Sequence, residues 1–568
     1  MAITSITIEN FKCIGDAVTI PIRPITLLFG KNSSGKSTVL QALHYTREVW
    51  EHGGADADRT SMGGDYIDLG GFRSLVHLHD LNRKIRIRVE FDLAIRDSKK
   101  LNHLLNHEMD PNSMWIEAVT SWDAKRRNVC TELYSRGLNG TEWIRIYPMK
   151  MLDTKSSDTI DPNGAKWHRL RKGSFLNSKH PYSKHPITDD YLEMLERALS
   201  ILNEISKKEL YDIRYLGPIR ELPDRDYCPQ RTPDESLWAE GLEAWNTLGR
   251  NPQLINRIND YMLDVLKLGY SISRKEIISL DRAGEIMENI EKICTSKNKK
   301  IEPNELKKQV YDPIEQLSRQ IMIKLHDKKN GVDLDAADVG LGISQVIPVL
   351  VGALHHGVPD PNRYDGSQIV GKFFVVEQPE LHLHPAAQVA LGDLFIDCIN
   401  TFVQEFRELK DYFESTEENG YQDENNIHKF VTIWMRFMKK NIDHPYLEEL
   451  IKNTEENSPS KIASSILRMF ASNEAEYKKF TDKLRLNGRT LLIETHSEHL
   501  LLRLLRRVRE TTEGEQTDHI LTPDDLSIVY VRPTPEGIKF TPISVTDDGG
   551  FYAPWPEGFF AERVKELF

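Results

Sequence analysis

Three stretches of this chain place side chains where they could work on a bound phosphate. The first is Gly30-Lys31-Asn32-Ser33-Ser34-Gly35-Lys36-Ser37-Thr38, preceded by apolar Ile25 to Phe29 and followed by Val39 to Leu43. A buried strand, a glycine loop and a helix in that order make a phosphate cradle. Gly30 and Gly35 let successive amides face inward, and the helix start adds partial positive charge. Lys36 would reach the β- and γ-phosphates, and Ser37 would offer its hydroxyl to Mg²⁺. The second stretch is FFVVEQPELHLHP, residues 373–385. Glu377 closes its apolar strand and can hold the Mg²⁺ water shell beside Ser37. The next position, where an acid would activate water, is Gln378. An amide orients water but cannot take its proton. Hydrolysis should therefore be slow, unless Glu380 substitutes. In the third stretch His496 ends the apolar strand TLLIET and can reach a γ-phosphate.

Other candidates are weaker. Phe11 and Lys12 follow the first strand, where a ring and a cation could flank a purine base; core packing and surface charge account for them equally well. Lys166, Arg169, Arg171 and Lys172 stand in an acid-free run, 166–184, interleaved with Trp167, Phe175 and Tyr182. Cations for phosphates and rings for bases suit single-stranded nucleic acid, and a solvated loop has the same composition. His382 and His384 have no third ligand in sequence and read as structural. Arg220 and Arg225 face a phosphate, an acid or a structural ion pair. Arg503, Arg506 and Arg507 cover a helix face.

These residues need a scaffold. Residues 3–29 read as three short strands and 84–95 as a half-exposed strand. Residues 188–207 and 234–268 carry helical stripes, and 283–316 is a charged helical stretch. Asn330-Gly331 marks a hairpin. The glycine-rich loop Gly340-Leu341-Gly342-Ile343-Ser344 opens an apolar helix at about Ile343. Residues 400–487 break the pattern and read as a helical arm. The expected organisation is a first lobe over 1–165, a helical insertion over 166–317, a second lobe over 318–398, a second insertion over 399–487 and the end of the second lobe over 488–568.

Composition narrows the function. A net charge of −12 over 568 residues argues against a wholesale nucleic-acid coat. The five cysteines lie far apart with no C-x-x-C pair, which removes a cysteine-rich zinc site and suits a reducing compartment. With no signal-like start and no apolar run of membrane-spanning length, the expectation is a cytoplasmic protein without a membrane partner. The closing stretch after the histidine strand shows no D-x-D or H-N-H cluster, and no Ser-His or Cys-His nucleophile pair has supporting spacing.

The order of phosphate loop, glycine-rich SQ helix, acid strand and histidine strand resembles the ABC-type ATPases of the SMC, RecF and OLD group. The run E-Q-P-E-L-H-L-H-P and the closing W-P-E-G-F-F are similar to a bacterial subgroup of AAA-like ATPases. That subgroup includes the PtuA-like ATPases of Septu and retron phage-defence systems. The resemblance implies an α/β ABC-type head, a mixed sheet core with antiparallel strands in its N-terminal lobe, carrying two helical insertions. It makes Gly30 to Thr38 the Walker A loop, Glu377 the Walker B acid, Gln378 the catalytic-glutamate position and His496 the switch histidine. Gly340, Gly342 and Ser344 become a signature loop completing a neighbour's site, although the loop departs from L-S-G-G-Q. No glutamine loop follows the Walker helix. The tail after the histidine strand has no acidic triad, so no nuclease site is expected here.

The resemblance further implies ATP and Mg²⁺ as cofactors, a head-to-tail homodimer or higher even-numbered oligomer, and a partner effector, a nuclease by analogy. The alternative is a DNA-repair or recombination ATPase of RecF or SMC type acting directly on DNA, marked by DNA-stimulated turnover of ~1 s⁻¹ or more. A transporter nucleotide-binding subunit suits the acid strand but not the insertions.

Overall fold

The computed structural model describes residues 3–52, 69–93, 95–104, 112–125, 128–138, 141–146, 158–160, 166–169, 174–177, 189–225, 227–278, 288, 290–291, 319–355, 373–416, 489–515, 517, 519–535 and 537–555. Two compact units divide the chain: Met1–Pro218 with His356–Glu380 and Gln388–Phe568, and Ile219–His355 with Leu381–Ala387.

The first unit opens with the antiparallel pair β1 (Ile3–Glu9) and β2 (Val18–Pro21), then β3 (Ile25–Phe29), in which every residue is buried. β1 also pairs with β4 (Ile85–Asp92). Along β4, Ile85, Ile87, Val89 and Phe91 are buried while Arg86 is exposed, the alternation of a half-covered strand. The antiparallel sheet grows outward through β5 (Ser113–Asp123), β6 (Asn128–Leu138) and β7 (Thr141–Ile146). It ends in β8 (Asp158–Ile160), β9 (Lys166–Arg169) and β10 (Ser174–Asn177), giving the order β2-β1-β4-β5-β6-β7-β10-β9-β8. The helical insertion expected from residue 166 therefore does not begin there. Residues 166–169 and 174–177 are strands, because the open edge of β7 has backbone groups that a further strand satisfies. Helix starts only at Asp189 and runs to Tyr211.

The second sheet of this unit is assembled from distant pieces. Its order is β11 (Ile213–Leu216), β15 (Phe373–Glu377), β16 (Thr490–Thr495), β3, β17 (Leu526–Thr534) and β18 (Gly537–Ile543). All neighbours run parallel except the last hairpin. β3, β11, β15 and β16 are buried throughout, as strands covered on both faces must be. α1 (Lys36–His52) leaves β3 through the glycine loop, and a long helix spans Pro385–Thr416. The helix Glu498–Thr512 starts on Ser497, whose Oγ accepts from Leu500 N at 3.1 Å. The fold is α/β, with an antiparallel N-terminal sheet and a parallel sheet carrying the phosphate loop. This is consistent with the expected ABC-type head.

In the second unit, β12 (Tyr270–Ile278), β13 (Arg319–Asp327) and β14 (Val332–Leu334) form an antiparallel sheet, and the β13–β14 turn holds Asn330 and Gly331 as expected. The helical stripe of 234–268 is split. Leu242–Arg250 ends before Pro252, and Asn251 caps the next helix, Pro252–Asp260, by accepting from Leu254 N. The apolar helix Leu341–Leu354 completes the unit, two residues earlier than its expected start. Apart from 288 and 290–291, the stretch 283–316 lies outside the described residues, as does the expected arm beyond Thr416. No helix among the described residues is long and apolar enough to cross a membrane.

Candidate functional site

β3 delivers the chain into the loop Gly30 to Gly35, and the sheet fixes that loop from one side. A Cβ on Gly30 would lie 2.2 Å from Val531 O on β17, so only glycine fits there. At Gly35 the backbone is left-handed (φ +97°), and a Cβ would meet Cys13 Sγ at 2.7 Å. Lys31, Asn32 and Ser33 are exposed, whereas Ser34 is buried and its Oγ has no hydrogen-bond partner. Thr38 lies below the loop, its Oγ1 3.0 Å from Cys13 Sγ. Lys36 is buried, and its Nζ donates to Gly30 O (3.1 Å) and Lys31 O (2.9 Å). Burial lowers the Lys36 pKa, while Glu494, 3.6 Å away, and then Glu377 and Glu380 pull it back up.

Two acids face the Ser37 hydroxyl. β15 and β16 pair in parallel with Glu377 opposite Glu494. Ser37 Oγ lies 3.0 Å from Glu377 Oε2 and 2.6 Å from Glu494 Oε2, with one proton to share. Tyr215, on β11, donates its hydroxyl to Glu377 Oε1 at 2.6 Å. Burial, and then the Glu494 charge alongside, push the Glu377 pKa up to about 7. Neither Glu494 nor Tyr215 is assigned a role by the motif spacing. The signal available for Glu494 is an acid ending an apolar strand, the same signal that marks Glu377.

Beyond Glu377 the chain turns sharply. Gln378 takes a left-handed conformation (φ +44°), and its N–H donates to Glu494 O at 2.8 Å. Such backbone in a non-glycine residue is uncommon and gathers at functional sites. Glu380 is buried, and its Oε1 accepts from His496 N at 2.8 Å, so it fixes the backbone of His496. Burial and then Lys36 drop the His496 pKa to about 4, against a raising hydrogen bond at the Gly30 backbone. The imidazole is neutral at pH 7, and its buried Nε2 has no hydrogen-bond partner.

The groups fit a nucleotide with a hard divalent cation. The loop excludes side chains where phosphate must approach, and Ser34 Oγ and His496 Nε2 are buried polar atoms without partners. Ser37, Glu377 and Glu494 form an all-oxygen set, the chemistry that takes Mg²⁺ alongside phosphates and waters. Among the described residues no three His, Cys, Asp or Glu side chains converge as a separate metal centre.

Several expected residues are placed differently. Phe11 is fully buried and packs against Tyr45 (ring centroids 5.7 Å), leaving no face for a purine. Lys12 Nζ donates to Gln41 Oε1 at 2.6 Å. Ser344 is buried inside its helix, with Oγ donating to Ala336 O at 2.8 Å, so its hydroxyl is not presented to a nucleotide. The helix starts one turn earlier than Ser344, on Gly340 and the exposed Leu341. Gly342 is needed for close packing instead, since a Cβ would lie 2.5 Å from His382 O. Lys166 and Arg169 lie on β9, while Arg171 and Lys172 fall outside the described residues. Arg225 pairs with Asp338 (2.7 Å), which realises the ion-pair alternative. Arg503 and Arg507 grip Asp393, and Arg506 pairs with Glu510.

Residues 1–216 match a family model described as "AAA ATPase domain". Residues 186–405 match one described as "AAA domain, putative AbiEii toxin, Type IV TA system". A comparison with curated proteins finds no match. Among solved structures the chain is similar to an Smc head bound to the C-winged helix domain of ScpA, at 10% identity and TM-score 0.38, covering 96% of this chain and 98% of that one. It is also similar to an Smc head with an extended coiled coil bound to the C-terminal domain of ScpA, from Pyrococcus furiosus, at 9% identity and TM-score 0.36, covering 100% and 98%. A third is the SMC head domain from Thermotoga maritima, at 9% identity and TM-score 0.29, covering 70% and 85%.

Proposed function

We propose that this chain is the ATP-binding, dimerising head of a bacterial anti-phage defence complex in the cytoplasm, and that it controls a partner effector, by sequence analogy a nuclease. The observation that carries this reading is the meeting of Lys36, Ser37, Glu377, Glu494 and His496 at the glycine loop. The AAA ATPase match over 1–216 supports ATP as the nucleotide. The second match, whose description names a toxin of a toxin–antitoxin system, supports a role in controlled toxicity.

Loop amides and Lys36 bind and orient the triphosphate. Ser37 and Glu377 would hold Mg²⁺, which would neutralise phosphate charge. His496, when its ring proton is on Nε2, would donate it to a phosphate oxygen. Gln378 aligns water without accepting its proton, so the ATP state is long-lived. A second copy closes over the nucleotide with the first turn of its helix 341–354, through backbone amides rather than the Ser344 hydroxyl. Lys166, Arg169, Arg171 and Lys172 would touch nucleic acid brought by the effector or its target. Since ATP binds the closed pair better than the open chain, it shifts the population towards the dimer. Sedimentation of the wild type and Lys36→Ala in Mg·ATP and Mg·ADP tests this. Dimer is expected only for the wild type in ATP; equal association in every condition overturns it.

A further inference from the structure

We propose that Glu494 is a second carboxylate for the divalent cation that accompanies the nucleotide, standing opposite Glu377 across Ser37. This rests on the nucleotide reading above and adds to it a residue that no part of the Walker pattern names.

Register is the first argument. Glu377 and Glu494 are paired positions on adjacent parallel strands, ~4.8 Å apart, with both side chains on the same face. Ser37, the first hydroxyl of α1, inserts between them at 3.0 and 2.6 Å, so three oxygen donors meet from three elements. Both carboxylates are 5% exposed or less. Two buried acids at this spacing repel unless one holds a proton or a cation lies between or beside them.

Charge balance is the second argument. Lys36 Nζ stands 3.6 Å from Glu494 Oε1, but it is also the group that must turn towards the phosphates. When it does, Glu494 gives up part of that neutralisation just as the triphosphate brings more negative charge. A hard divalent cation on Ser37, Glu377 and Glu494 restores the balance, and the oxygen set selects Mg²⁺ or Mn²⁺ over softer metals. The sequence marks no glutamine loop after α1, and Gln41 within that helix is bonded to Lys12. The donor that completes the set therefore comes from β16. If Glu494 served only as a counter-ion for Lys36, its loss would leave metal affinity alone.

Mn²⁺ binding to the full chain, followed by the EPR signal of the free ion with adenylyl imidodiphosphate present, separates the two roles. Glu494→Gln should bind Mn²⁺ about tenfold more weakly than the wild type or worse, while nucleotide binding in EDTA should not weaken, because Lys36 loses a competitor for its charge. Glu494→Asp, with the charge on a shorter arm, should fall between. Mn²⁺ affinity in Glu494→Gln equal to wild type overturns the assignment. Should that variant fail to fold, the aspartate variant decides on the same scale, since a shortened arm must loosen the ion. Equal nucleotide binding by the wild type and Lys36→Ala would instead defeat the nucleotide reading itself, a result distinct from a loss confined to Glu494.

Discussion

In the proposed reading, Gln378 stands where a catalytic acid would be expected. Its amide can hold a water in place, and a carboxylate there could also take the proton, a difference worth up to ~10²–10⁴ in rate. Glutamate has the same backbone demands as glutamine, so the left-handed conformation (φ +44°) adds no new strain. Gln378→Glu should raise phosphate release per chain by about tenfold or more under saturating Mg·ATP. Unchanged turnover would mean that another step limits the cycle. Gly35 gives the opposite kind of prediction. A methyl group there meets Cys13 Sγ and Ile538 Cδ1 at 2.7 Å in backbone that already disfavours side chains. Gly35→Ala should therefore cost about 2 kcal/mol in urea unfolding and abolish the rise in melting temperature caused by Mg·ATP. Full retention of both would show that the loop tolerates a side chain, against the cradle as described.

α1 carries a less expected constraint. His44 is wholly buried with neither ring nitrogen hydrogen-bonded, its ring edge-on to Tyr215 (centroids 4.9 Å). Burial, and then Arg47, push its pKa down to about 3 from the usual 6.5. As pH falls the unfolded chain takes this proton first. The stability tied to neutral His44 is therefore complete above pH 6.5 and drains away as pH drops towards 3, by at most ~1.4 kcal/mol per pH unit. His44→Phe should flatten melting temperature against pH between 6.5 and 5 relative to the wild type; parallel curves would contradict the assignment. None of this was legible in the sequence, where His44 is one polar residue on an apolar helix face. The phosphate loop was legible because Gly30, Gly35, Lys36 and Ser37 are consecutive and their geometry is local. Glu377 was legible because a strand terminus follows from its own four apolar predecessors. Glu494 and Tyr215 depend on which strands become neighbours, a fact stored in pairings between distant segments. Phe11 and Ser344 misled for the same reason: motif position names a residue, but only packing decides whether its ring or hydroxyl is already used.

The six-stranded sheet joins the chain's beginning to its end. β3, from residues 25–29, lies between β16 and β17, so the loop it feeds is shaped by residues far away in sequence. Val531 O forms the wall that excludes a side chain from Gly30. Past β18 the chain turns back through a bridge between Val545 and Phe551, and Trp555 then packs edge-on to Phe29 (5.6 Å) and Tyr530 (5.5 Å) and against Phe551 (5.3 Å). Phe29 is the residue immediately before the glycine loop, so a ring near the C-terminus buttresses the strand end on which phosphate binding depends. Removing a buried Trp leaves a cavity worth about 3 kcal/mol or more. Trp555→Ala should thus lower urea stability by about 3 kcal/mol and weaken nucleotide binding, while Trp555→Phe, which keeps an edge against Phe29, should recover most of both. Loss of stability with nucleotide affinity untouched would make the C-terminal turn a passive lid on the core; loss of both, restored by phenylalanine, would mean that the two ends of the chain together hold the phosphate loop in shape.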